Sequence, residues 1–168
     1  QSWIYGYTFV LSHYSVDLTQ ELARKTGRFG IGHEEEMNEI LSILNKVTKN
    51  NVLLIGESGT GKTSLAKDIA ERINKKQVPT SIKNMRVIKL DINSLVAAAA
   101  QHGNLESLVK TTMEELEKAG NTILFIDEIQ EIVEVKGEDS DHSLAGIILP
   151  YVLESTFPII GTITYSDY

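Results

Sequence analysis

The hydrophobic positions of the chain fall into two rhythms. Four short, predominantly apolar runs, Val52–Ile55, Val87–Ile92, Ile123–Ile126 and Ile159–Thr164, lack sustained alternation with polar residues. Runs of this kind suit strands buried on both faces of a parallel sheet. Between them, Lys62–Lys75, Leu105–Lys118 and Ser143–Leu153 repeat apolar residues at helical spacing, which leaves room for crossover helices between the strands. Upstream, Asp17 is placed to cap a helical turn running through Lys25, and Glu34–Lys49 sets Met37, Ile40, Leu41 and Leu44 on one face. The pattern predicts an α/β domain of three layers, with helices on both sides of a mostly parallel sheet.

The first 16 residues follow a different rule. Trp3, Tyr5, Tyr7, Phe9 and Leu11 alternate with Ile4, Gly6, Thr8 and Val10, a period of two. This segment is read as an edge strand or linker without chemistry of its own, and the α/β domain as residues 17–168. The chain starts at Gln1 and closes at Tyr168, just past an apolar run, so both ends are expected to be cut from something longer. A glycine-rich turn, Gly27–Gly32, does not join a strand to a helix and does not match the G-x-G-x-x-G dinucleotide pattern. It is expected to be a plain loop.

Composition narrows the function classes. At 168 residues, 42% hydrophobic and 23% charged, the chain is an ordinary globular domain with one core. Sixteen basic residues against 23 acidic ones give a net charge of −7, which argues against nucleic acid as the main partner and against a DNA-remodelling role. Without cysteine there is no disulfide, thiolate metal site or cysteine nucleophile, and a reducing, cytoplasmic setting fits best. No apolar run approaches the roughly 20 residues that span a bilayer, so no membrane segment is expected here.

The chemistry begins where the first apolar run ends. Gly56–Thr63 reads GESGTGKT, which fits G-x-x-x-x-G-K-[ST] and is flanked by a strand-like run and an amphipathic helix. Gly56, Gly59 and Gly61 let the backbone turn its N–H groups inward as an anion nest, and the following helix adds its positive end. Lys62 would reach the β- and γ-phosphates, and Thr63 would offer its hydroxyl to Mg²⁺. The nucleotide-binding set is therefore Glu57, Ser58, Gly59, Thr60, Gly61, Lys62, Thr63 and Ser64, with ATP or ADP and Mg²⁺ as cofactors.

The third run ends in Asp127 and Glu128. In a parallel sheet the carboxyl ends of the strands line the ligand crevice, which brings these acids beside the phosphate loop. Asp127 would hold Mg²⁺ through its water shell, and Glu128 would polarise a water for in-line attack on the γ-phosphate. Thr164 closes the fourth run. If that strand lies between the first and third, its hydroxyl reaches the space where the nucleophile must be oriented. Asp139, Asp141 and His142 lack a fourth ligand and are read as a solvated loop, so no metal is expected beyond the Mg²⁺ that accompanies nucleotide.

In order and spacing these pieces resemble the AAA+ ATPases, specifically the first nucleotide-binding module of Clp-type unfoldases and disaggregases. LTQELARKTGRFGIGHEEEM, TKNNVLLIGESGTGKTSLAKDIAERI, RVIKLDINSLVA, ILFIDEIQEIV and IIGTITYSDY carry the resemblance, from about Leu18 to Tyr168. It implies a P-loop NTPase large subdomain without its fifth strand and small helical lid, which leaves the first strand an open edge that the aromatic segment is one candidate to cover. Also implied are an ATP-driven six-membered ring, polypeptide substrates, a possible partner peptidase, and adenine packing on Ile31 and Gly32. Phe29, Gly30 and His33 depart from the family's Pro, Val and Arg. The family's trans-acting arginine would lie beyond Tyr168, so hydrolysis by these residues alone is expected to be weak.

The pore loop departs further. Where the family commonly carries Lys-Tyr-Arg-Gly, this chain reads Ala100, Gln101, His102, Gly103, without the gripping aromatic. Glu134–His142 matches a second pore-facing loop. Two functions are therefore carried forward: an energy-coupling module of a protein-remodelling machine, and a nucleotide-gated assembly scaffold that binds ATP without gripping substrate.

Overall fold

The computed structural model describes residues 14–23, 34–46, 50–57, 61–102, 104–129 and 144–165, without the side chains of residues 63, 102, 144 and 145. In chain order these form β1 (Ser15–Asp17), α1 (Leu18–Ala23), α2 (Glu34–Leu44), β2 (Val52–Glu57), α3 (Lys62–Asn74), a 3-10 turn (Thr80–Ile82), β3 (Arg86–Leu90), α4 (Ile92–His102), α5 (Leu105–Ala119), β4 (Thr122–Ile126), α6 (Leu144–Glu154) and β5 (Ile159–Tyr165). The sheet order is β1-β3-β4-β5-β2. Its last four strands run parallel and β1 alone is antiparallel.

Each central strand divides its residues between two cores. Val87, Ile123, Phe125 and Ile160 face α1, α2 and α3, where Leu22, Met37, Ile40, Ile69 and Ile73 meet them. The alternate residues Ile88, Leu124, Ile126 and Ile159 face α4, α5 and α6, against Leu95, Val109, Leu116 and Ile148. Every residue of β4 is buried, as its central place requires. The expected three layers are thus present.

The structure differs from the sequence reading at three places. Ile92 starts a helix instead of ending a strand, because Asp91 caps the turn: its carboxylate accepts the Ser94 N–H at 3.1 Å and the Ser94 hydroxyl at 2.6 Å. The Ser94 hydroxyl outweighs burial and holds the Asp91 carboxyl below its ordinary range, with the Ser94 N–H adding a smaller pull in the same direction. The resulting helix α4 falls where the hydrophobic spacing marks no element, and it takes Ala100, Gln101 and His102, expected to be a loop, into its last turn.

The second difference is β1, which pairs Ser15 with Leu90 and Asp17 with Ile88, so a division after residue 16 runs through a strand. The third concerns the open edge. The described end of the aromatic segment lies on β3, with the Asp91 N–H donating to the Tyr14 carbonyl at 2.7 Å, and so covers the edge opposite β2. Strand β2 pairs with β5 alone among the described strands, and its Leu53 and Ile55 are 52% and 63% exposed. Residues 1–13 lie outside the described residues.

Asp17 ties β1 and α1 to the sheet. One carboxylate oxygen accepts the Gln20 N–H at 3.0 Å, capping α1, and the other pairs with Arg86 at 3.2 Å. Burial raises the Asp17 carboxyl above the usual carboxylate range, against the lowering pull of the Gln20 N–H and Arg86. A raised folded-state pKa means the folded form binds the proton more tightly, so this group's contribution to stability grows as pH falls through that pKa. Removing the cation leaves a buried carboxylate unpaired. Arg86→Met is expected to cost about 2–3 kcal/mol at pH 7 by urea unfolding, less than for a fully buried pair because Arg86 is partly exposed. The deficit should shrink as pH falls through the raised pKa of Asp17.

Candidate active site

The parallel sheet brings the carboxyl ends of β2, β5 and β4 side by side, with β5 in the middle. Strand β2 ends at Glu57, and Gly61, just before the next helix, has a φ of 88° in the left-handed region that glycine tolerates best. Helix α3 starts at the next residue. Among the described residues no side chain caps α3, and its first turn holds no acid. The contrast with neighbouring helices is direct: α2 opens on Glu34, Glu35 and Glu36, and Asn104 caps α5 by accepting the Ser107 N–H at 3.0 Å. An uncapped helix start with no negative charge of its own suits an anion, which is the fit a nucleotide phosphate requires.

Lys62 is buried, and its Nζ donates to the carbonyl oxygens of Gly56 at 3.0 Å and Glu57 at 2.6 Å. The ammonium therefore sits at the mouth of the loop that the sequence assigned to phosphate. Ser64 is exposed on the first turn of α3. Ser58, Gly59, Thr60, the Thr63 side chain, Ile31 and Gly32 lie outside the described residues, as does the segment from Glu134 to His142.

On the other side of β5, Asp127 and Glu128 follow β4 directly. The Thr164 hydroxyl, expected from its position to orient the nucleophile, donates instead to Glu128 Oε1 at 2.8 Å. Glu128 has a φ of 55°, a left-handed conformation that is costly for a residue with a side chain. Such residues persist where the surroundings over-determine them, commonly at functional sites.

Two residues of β5 that the sequence reading passed over shape this end of the sheet. Thr162 is fully buried, donates its hydroxyl proton to Asp127 Oδ1 and accepts the Glu128 N–H at 2.8 Å. At Gly161 a Cβ would lie 2.1 Å from Ile129 Cδ1, so the bare backbone is what admits the side chain that follows the acid pair. The signal for Thr162 was the T-x-T alternation of the strand; none pointed to Gly161.

A cavity of about 500 Å³ is lined by Gly56, Glu57 and Lys62 together with Ile40, Leu53 and Tyr165 along the open edge of β2. Another, of about 300 Å³, is lined by Asp127 and Glu128 with Lys89, Asp91 and Asn93. The cationic loop and the acid pair thus open on different hollows. Among the described residues no helix is long and apolar enough to cross a membrane.

Strand β2, the G-x-x-x-x-G-K-T sequence that follows it and a helix without a side-chain cap among the described residues lie on one side of β5, with a strand-end acid pair on the other; this is the α/β P-loop arrangement, suited to a nucleoside phosphate. Residues 52–158 match the ATPase family associated with various cellular activities (AAA), and the chain belongs to that family. It is 40% identical over 158 residues to the chaperone protein ClpB of Wolinella succinogenes, covering 94% of this chain and 18% of that one. Against the ATP-dependent Clp protease ATP-binding subunit ClpC of Staphylococcus epidermidis it is 37% identical over 138 residues, 82% of this chain and 17% of that one. Among solved structures, the S. cerevisiae Hsp104-ADP complex superposes with a TM-score of 0.78 at 32% identity, over 92% of this chain and 21% of that chain. The S. cerevisiae Hsp104:casein complex in its extended conformation gives 0.77 at 34%, over 93% and 26%. The chain therefore spans about a fifth of the length of the curated relatives it matches.

Removing the loop cation tests the phosphate assignment. A charge-assisted hydrogen bond is worth about 1.5–3 kcal/mol, so Lys62→Ala should weaken ATP binding roughly 10- to 100-fold in a fluorescence titration, with the far-UV circular dichroism unchanged.

Proposed function

We propose that this chain is the ATP-binding and ATP-hydrolysing module of a Clp-type protein-remodelling machine. The observation that carries the reading is the Glu128 carboxylate held by Thr164 on the strand next to the phosphate loop. Lys62 and the first N–H groups of α3 bind the β- and γ-phosphates of ATP. Asp127 and the Thr63 hydroxyl hold Mg²⁺, directly or through its water shell. When bound, that ion neutralises charge on the phosphate oxygens. Glu128 takes a proton from the attacking water as the water oxygen bonds to the γ-phosphorus, Thr164 fixes the direction of the carboxylate, and the bond from the bridging oxygen to the γ-phosphorus breaks, giving ADP and inorganic phosphate.

Polypeptide is the proposed substrate, self-association into a six-membered ring the proposed assembly, a peptidase a possible partner, and the cytoplasm the proposed location. Similarity to the chaperone protein ClpB and to casein-bound Hsp104 supports the first, and similarity to a Clp protease subunit supports the third. Adenine is proposed to pack on Ile31 and Gly32.

A second reading, a nucleotide-gated scaffold, is favoured by one residue. Gln101 is exposed on the last turn of α4 and offers an amide where a chain-gripping element would use an aromatic ring. Both readings are separable in the full-length protein by following ATP hydrolysis and ATP-driven unfolding of a fluorescent protein substrate. Glu128→Gln should reduce hydrolysis at least about 100-fold while ATP still binds, and unfolding should stop with it. Gln101→Tyr should accelerate unfolding if this module threads chain, and leave it unchanged if the module only gates assembly. Undiminished hydrolysis by Glu128→Gln would remove the catalytic reading.

A further inference from the structure

We propose that the Thr162 hydroxyl is a positioning group for the acid pair: it orients the Asp127 carboxylate and anchors the backbone of Glu128, and so sets where both acids stand relative to the phosphate loop. The inference rests on the reading of Asp127 and Glu128 as the metal-holding and hydrolytic acids.

The register shows why a side chain is needed here. The β4–β5 ladder runs through Leu124↔Ile159 and Phe125↔Ile160 to Ile126↔Gly161, and ends there. Asp127 and Glu128 stand just beyond it, where backbone pairing no longer dictates their placement. Thr162 is the next residue on β5, and its side chain continues the connection in another form. Its single hydroxyl proton goes to Asp127 Oδ1, and a lone pair of the same oxygen accepts the Glu128 N–H at 2.8 Å. One atom thereby touches both acids, one through its carboxylate and the other through its backbone.

Chemistry and shape make the contact specific. A hydroxyl can give one proton and accept at its lone pairs, whereas an amide or methyl in the same place cannot do both from one atom. Branching at Cβ restricts the threonine side chain to few rotamers, and complete burial keeps water from replacing either bond. Glu128 holds a φ of 55°, a conformation with a standing cost, and its N–H bond to Thr162 together with its carboxylate bond to Thr164 opposes relaxation.

The test compares Thr162→Val and Thr162→Ser in the full-length protein. Turnover, ATP affinity, thermal melting and hydrogen exchange of the Glu128 amide are measured without nucleotide where that applies, and Glu128→Gln is run in parallel. Displacing reacting groups by an ångström costs up to about 100-fold, so Thr162→Val is expected to lower kcat at least about tenfold with ATP affinity within about threefold of the parent. Its Glu128 amide should exchange at least tenfold faster, about the effect of exposing one protected N–H. Thr162→Ser, which keeps the hydroxyl, should restore both readouts to within about threefold. If the valine variant does not fold, Thr162→Ala decides by the same readouts. Parent-like kcat and amide protection in the hydroxyl-free variant would overturn the proposal, as would equal losses in the serine and valine variants. A Glu128→Gln enzyme that still hydrolyses ATP would instead sink the reading beneath it, so the two failures are distinguishable.

Discussion

The insertion of β5 between β2 and β4 is the constraint on which the site depends. Strands in a sheet lie about 4.8 Å apart, so β2, which leads into the phosphate loop, and β4, which leads into the acid pair, stand about 10 Å from one another with a single strand between them. Neither element could set this spacing by itself, because each belongs to a different strand–helix unit. What fixes it is parallel pairing of β5 on both sides, from Val52↔Ile160 through Glu57↔Tyr165 and from Leu124↔Ile159 through Ile126↔Gly161. Asn51 adds a pin at the far end, its Oδ1 accepting the Ile159 N–H at 3.0 Å. Charge of opposite sign is thereby held on the two flanks of one strand: Lys62 and a helix start on one, Asp127 and Glu128 on the other.

Side chains on β5 turn that spacing into a defined geometry. Gly161 supplies clearance for Ile129, Thr162 holds Asp127 and the Glu128 backbone, and Thr164 holds the Glu128 carboxylate. The Glu128 backbone is strained, and one hydrogen bond to its N–H and another to its carboxylate hold the residue in that conformation. The layers behind the sheet contribute rigidity: Phe125, Ile126 and Ile160 are essentially fully buried, so the strand ends have little room to shift.

Much of this was legible in the chain because the relevant signals are local. The apolar runs place all four parallel strands to within two residues at every end, since strands buried on both faces leave continuous hydrophobic stretches. GESGTGKT and Asp127–Glu128 could be placed because a glycine loop after one strand and acids at the end of another are patterns of adjacent residues. What could not be read depended on partners distant in sequence. Strand β1 is three residues long and takes its identity from pairing with β3 some 70 positions on. Helix α4 was hidden in an alanine run whose start is marked only by the Asp91–Ser94 cap, and the apolar Ile92 that opens it reads equally well as the end of a strand. Thr162 looks like any strand-forming threonine until Asp127, 35 residues earlier, is placed beside it.

The most direct measurement is backbone-amide NMR of the labelled chain during titration with Mg-ATP. Expected are shifts concentrated at Gly56, Glu57, Gly61, Lys62, Asp127, Glu128, Thr162 and Thr164, the residues gathered at the carboxyl ends of β2, β4 and β5. Shifts confined to the opposite ends of those strands, around Asn51 and Asn121, or the absence of any response at both the loop and the acid pair, would contradict a single nucleotide site assembled around β5.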